Sequence, residues 1–230
     1  NDKSQIVRDR VMELAGDVGG KDDLQWLWEK LGANSEGKTA WQAILKIFNN
    51  CDINVIESWM GKFDSQADNG KLSDEQFVSF FELAERKAAA ENKEEIVRAA
   101  REKLAQLYAK AGQFEQAAEY LGKLRESAGS KEQKDAVLGQ LIDVYLRWPR
   151  MEAASLLIGN CLLEKDLGDD SKVISSIDAF LDNPSGGADP NTVIKSLRKI
   201  KAADQRPLWH EHLARWSKQF ALAEDPNNGG

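Results

Sequence analysis

A pattern in residues 104–124 returns once, 37 positions later, and this recurrence restricts the chain to a narrow set of folds. Leu104, Ala105, Tyr108, Gly112, Phe114, Ala117, Leu121 and Leu124 reappear as Leu141, Ile142, Tyr145, Pro149, Met151, Ala154, Ile158 and Cys161. Gly112 and Pro149 hold equivalent places between two stretches of helical spacing. Glycine readily adopts the left-handed conformation that closes a helix, while proline cannot continue one helix but suits the first turn of the next. Both therefore make a corner. Self-similarity at a period of about 20–50 residues marks a solenoid, in which each unit buries its apolar face only by stacking on its neighbours. The expected fold is all-α, a right-handed solenoid of stacked antiparallel helical hairpins with about twelve helices.

Caps and breakers place the helices. The first four run from about Ser4 to Ala15, Asp22 to Leu31, Glu36 to Asn49 and Ile53 to Phe63, with Gly16 and Gly32 expected as left-handed C-terminal residues. Ser73 with Gln76, Asn92 with Glu95, and Ser130 with Gln133 have capping-box spacing, which starts a helix by satisfying its orphan amides. Helices then follow over Asp74–Glu91, Lys93–Ala111, Gln113–Ala128, Lys131–Trp148 and Arg150–Leu167, with Gly112, Gly129 and Gly168 after three of them. Further helices end near Leu181 and span Pro190–Ala203 and Pro207–Ala223. This divides the chain into helical hairpins at 1–91, a repeat pair at 92–168, a degenerate repeat with a capping helix at 169–225, and a disordered tail at 226–230.

Charge narrows the partners. The formal net charge is −7 over 230 residues, and because phosphate binding demands clustered Lys and Arg this balance argues against nucleic acid. No apolar run is long enough to span a bilayer, so no membrane insertion is expected. The chain starts at Asn1 without methionine, which suggests a processed or excised segment and leaves localisation open between cytoplasm and a secreted or periplasmic setting. Cys51 and Cys161 lie in distant segments and are expected as free, mostly buried thiols.

Residues 101–167 resemble the tetratricopeptide repeat. The match rests on Leu104, Ala105, Tyr108, Gly112, Phe114 and Ala117 and on their counterparts, with Arg101 standing where that family has its first signature tryptophan. The resemblance implies a pair of antiparallel helices per repeat and a concave face that binds peptides. It maps the groove positions onto Glu102, Gln106, Ala109 and Lys110, then Gly139, Asp143, Leu146 and Arg147. Lys110 and Arg147 are equivalent, and two cations on successive repeats suit an acidic peptide or a terminal carboxylate. The alternative is that each complements the C-terminal end of its own helix. The opening third is similar to HEAT-type repeats, through Val7, Arg8, Val11, Leu14, Gly16, Asp22, Leu24, Leu27 and Leu31, followed by Trp41, Ile44, Ile47 and Phe48. There Val11, Leu14 and Ala15 return as Ile44, Ile47 and Phe48, a spacing of 33.

Three further constellations carry chemistry. Phe63 to Phe77 looks like a degenerate EF-hand loop, with Asp64, Asp68, Asp74 and Glu75 as the candidate calcium ligands, although no frame supplies the full ligand set. The other reading is a polar turn between helices. Trp26 and Trp28 are two apart, so they cannot face the same core; Trp26 either packs on a neighbouring repeat or binds a partner. Trp209, Leu213, Trp216 and Phe220 form one apolar stripe that should dock on the preceding helix.

His210 and His212 point to different faces, so they form no zinc pair. No phosphate loop or activated nucleophile is evident, and no cofactor is expected. The sequence thus points to a non-catalytic scaffold that binds a protein or peptide, itself a monomer or weak homo-oligomer. Rival readings are a calcium-regulated binding module and an accessory helical domain of a longer enzyme.

Overall fold

The computed structural model describes residues 3–31, 37–66, 72–148, 171–184, 189–200 and 207–220. Among these residues the chain forms eleven α-helices and no strand. They are α1 (Lys3–Val18), α2 (Asp23–Lys30), α3 (Gly37–Asn50), α4 (Ile53–Gln66), α5 (Asp74–Ala90), α6 (Glu94–Lys110), α7 (Phe114–Ser127), α8 (Lys131–Arg147), α9 (Ser171–Asp182), α10 (Pro190–Leu197) and α11 (Pro207–Gln219). The expected helix over 150–167, Cys161, Gly168 and the tail at 226–230 lie outside the described residues. The chain divides into two compact units, Asn1–Leu107 and Tyr108–Gly230, and the division falls inside α6.

Local chemistry explains most helix ends. Ser73 caps α5 with a full capping box: the Gln76 amide donates to Ser73 Oγ at 3.3 Å, and the Ser73 amide donates to Gln76 Oε1 at 2.8 Å. Ser130 and Gln133 repeat the arrangement at the start of α8. Asn92 behaves differently from its expected role. It sits after α5 with φ 55°, and the amides of Asn92 and Lys93 donate to the carbonyls of Ala89 and Ala88, so it closes α5 in a Schellman motif instead of opening α6. Gly112, with φ +73°, ends α6 in the same way, its amide and that of Gln113 donating to Ala109 and Tyr108. Gly16 does not end a helix, because α1 runs past it to Val18. Its role is close approach: a Cβ there would lie 2.8 Å from Ala43 Cα, so its absence lets α1 lie directly on α3.

In Asn1–Leu107, α3 packs against α1, α2 and α5, and α4 packs against α5. The core is aromatic. Phe63 lies at its centre, with ring centroids 4.4 Å from Phe80, 5.3 Å from Trp28 and 5.8 Å from Trp59. Edge-on contacts of this kind add to the large area such rings remove from water. Lys87 fastens α5 to the end of α3 by donating from Nζ to the carbonyls of Asn49 and Cys51, at 2.9 and 2.6 Å. Those carbonyls lack helical partners, so a cation is well placed there.

In Tyr108–Gly230, α7 and α8 pack together, α9 packs on α8, and α10 meets α11. One core joins α8 to α11: Leu138, Ile142 and Leu146 meet Val173, Ile174, Ile177, Val193, Ile194, Leu197, Trp209 and Trp216. Leu213 and Phe220 pack against the same core, so the stripe of α11 closes onto several helices and not only onto the preceding one.

Candidate partner-binding site

α8 has neighbours on two sides, and this decides which of its residues reach the surface. Leu138, Ile142 and Leu146 lie in the shared core, and the Gly139 carbonyl accepts a hydrogen bond from Ser176 Oγ of α9 at 3.3 Å. Gly139 and Leu146, expected along a groove, are thus covered by the helix packed on them. Asp143 and Arg147 stay half-exposed and pair with each other, Arg147 Nε donating to Asp143 Oδ1 at 3.1 Å. Lys110 is exposed at the last residue of α6, as Arg147 is half-exposed at the last residue of α8. Each cation therefore sits where it complements the C-terminal partial charge of its helix, and each also presents charge to solvent.

On its α7 side, α8 lines a cleft of about 430 Å³. Ala118, Gly122, Arg125 and Glu126 of α7 line it opposite Lys134, Leu141 and Tyr145 of α8. Ala118, Leu141 and Tyr145 give it apolar surface, and Gly122 has open space where a Cβ would stand. Its lining also includes Arg125, whose Nε is buried, and the exposed Lys134 and Glu126. Apolar surface beside two cations and one acid suits a side chain with an apolar stem and an anionic end. Tyr145 is braced against Trp148, with ring centroids 5.7 Å apart. Tyr108, 37 positions earlier, stacks on Tyr120 at 5.7 Å and 11°. The residue 37 positions after Tyr120 is Leu157, which lies outside the described residues.

The other sequence candidates sit in the first unit. Glu102 and Gln106 are exposed, one helical turn apart on α6. Trp28 is buried against Trp59 and Phe63, while Trp26 is 37 % exposed. Asp68 lies outside the described residues, as does the side chain of Asp64, whereas Asp74 and Glu75 occupy the first turn of α5. Acids at that position complement the positive end of the helix. No cluster of three or more metal-ligating side chains occurs among the described residues. No helix among them is long and apolar enough to cross a membrane. Cys51 forms no disulfide and its Sγ donates to the Phe48 carbonyl. Burial pushes its thiol up against the opposing pull of Lys87, which disfavours the nucleophilic thiolate.

Sequence reasoning missed the polar node that ties α9 to α11. Asp178 accepts from Arg215 and, at 2.6 Å, from Trp216 Nε1, with His212 Nδ1 3.8 Å away. Burial works to raise the Asp178 carboxyl, but the hydrogen bonds from Arg215 and Trp216 and the charges of Arg215 and His212 outweigh it. The carboxyl is held below its usual value. A signal was present: Asp178 and Arg215 are 37 residues apart, as are Gly139 and Ser176, which is the spacing between Tyr108 and Tyr145.

No protein-family model, curated protein or solved structure matches this chain.

Proposed function

We propose that the chain is a non-catalytic interaction scaffold built from stacked, tetratricopeptide-like helical hairpins, and that the cleft between α7 and α8 receives a partner segment. The observation that carries the reading is contact between residues one period apart. Gly139 meets Ser176, and Asp178 meets Arg215, each pair separated by 37 positions on packed helices. Side-by-side stacking of equivalent helices produces such contacts at the repeat length. A partner-binding role follows from what such stacking leaves behind: side chains held in place before the ligand arrives, which lowers the ordering cost of binding. The lining, with Ala118, Leu141 and Tyr145 beside Arg125, Lys134 and one acid, favours an acidic segment with a hydrophobic anchor.

The test is a peptide array of acidic segments with and without an aliphatic or aromatic anchor, probed with the wild-type chain and with Lys134→Glu and Gly122→Leu, the latter filling open space at the cleft. Selective capture of anchored acidic peptides, lost in both variants while their circular dichroism is unchanged, supports the cleft. Equal capture by the variants, or no preference for acidic peptides, refutes it.

A further inference from the structure

Helix α1 is apolar on the wrong side. Its buried side, Met12 and Gly16, faces α3, with Gly16 lying against Ala43. The opposite side carries Val7, Val11, Leu14 and Val18, which are 62 %, 48 %, 45 % and 84 % exposed. Their spacing is four, three, four, the seam of a two-helix coiled coil, in which alternate layers of one helix fill holes in the other. Ile6 at the margin is exposed as well. A stripe of this length left in water on a folded body is the signature of an interaction surface, since scattered apolar residues would not share one face at heptad spacing.

Charge beside the stripe selects the occupant. Arg10 and Asp17 occupy equivalent flanking positions, each one residue before a seam residue, Val11 and Val18. When two copies of α1 pair antiparallel about a twofold axis between Val11 and Leu14, Val11 meets Leu14 of the other copy and Val7 meets its Val18. Arg10 then comes beside the other copy's Asp17, twice over by symmetry. A parallel pairing sets Arg10 against Ala15 and gains no such ion pair. In the single chain Arg10 pairs with Glu13 at 2.9 Å and Asp17 with Lys46 at 2.6 Å; all four side chains remain about half-exposed or more, so the pairs across the dimer form by exchange with these solvent-facing contacts. We propose that α1 is a self-association surface on which a second copy of this chain docks its own α1 antiparallel. This surface is independent of the cleft between α7 and α8.

Two heptads make an interface at the small end of the specific range, so the dimer is weak, with a dissociation constant on the order of 100 µM. Sedimentation equilibrium of the 230-residue chain from about 5 µM to 1 mM reads it. Val11→Asp, at an exposed position, should weaken association at least about tenfold by placing an unpaired charge in the seam, with circular dichroism unchanged. The charge arm gives the geometry. Arg10→Asp alone and Asp17→Arg alone should each weaken dimerisation. An equimolar mixture of the two should restore it, because every flanking pair across that heterodimer is then complementary. A chain that stays monomeric to about 1 mM, association that survives Val11→Asp, or a mixture no tighter than either variant alone would each overturn the proposal. A monomeric wild type would assign the stripe to a different protein or to another segment.

Discussion

Replacing Asp178 should loosen the second unit by an amount set by one buried indole. Trp216 is fully buried, and its Nε1 donates to Asp178 Oδ1. Asp178→Ala leaves that N–H without its acceptor, at a cost of about 1–3 kcal/mol. Arg215 loses the same carboxylate, but it is 54 % exposed, so water screens the loss to below about 1 kcal/mol. The expected total for Asp178→Ala is about 1–4 kcal/mol. Asp178→Asn keeps a neutral acceptor and gives up only charge assistance, so it should cost about 1 kcal/mol. Urea denaturation at neutral pH, followed by tryptophan fluorescence and far-ultraviolet circular dichroism, measures both variants. The pH dependence supplies a second reading. The Asp178 carboxyl is held below its usual value, so its contribution is fully present above the unfolded value of about 3.9 and fades as pH falls through the folded one. The gap between wild type and Asp178→Asn should therefore close in acid, below about pH 4. Variants within about 0.5 kcal/mol of wild type, or a gap that widens in acid, would refute the account.

Other expectations rest on packing. Phe63→Ala removes the ring that meets Trp28, Trp59, Phe77 and Phe80, and should cost about 3–5 kcal/mol, read as a lowered urea midpoint of the first unit. Gly16→Leu drives a side chain into Ala43 and should destabilise by about 1–3 kcal/mol in thermal melts, whereas Gly20→Ala, with open space at its Cβ, should stay near wild type.

The pattern of local signals was readable because each is complete within a few residues. Ser73 with Gln76 and Ser130 with Gln133 need only one another and the amides beside them, so spacing alone foretold both capping boxes. Gly112 announced its corner by the same logic, since no other residue adopts that backbone so freely. Asn92 shows where that logic stops. It has cap chemistry at both ends of a helix, and only the path of the chain after Ala90 assigned it to the end of α5.

Helical periodicity told which residues share a face, and from that the all-α class followed. It could not tell what covers the face. Leu146 and Tyr145 are adjacent in sequence, yet one lies under α9 in the core and the other lines a cleft with α7. Val7, Val11, Leu14 and Val18 have the spacing of a core stripe, but α3 takes the other side of α1 and leaves them in water. Asp178 finds Arg215 only because α9 and α11 are brought together. Hydrogen bonds within a turn are decided by neighbours in the chain, whereas burial is decided by neighbours in space, and the sequence names only the first kind.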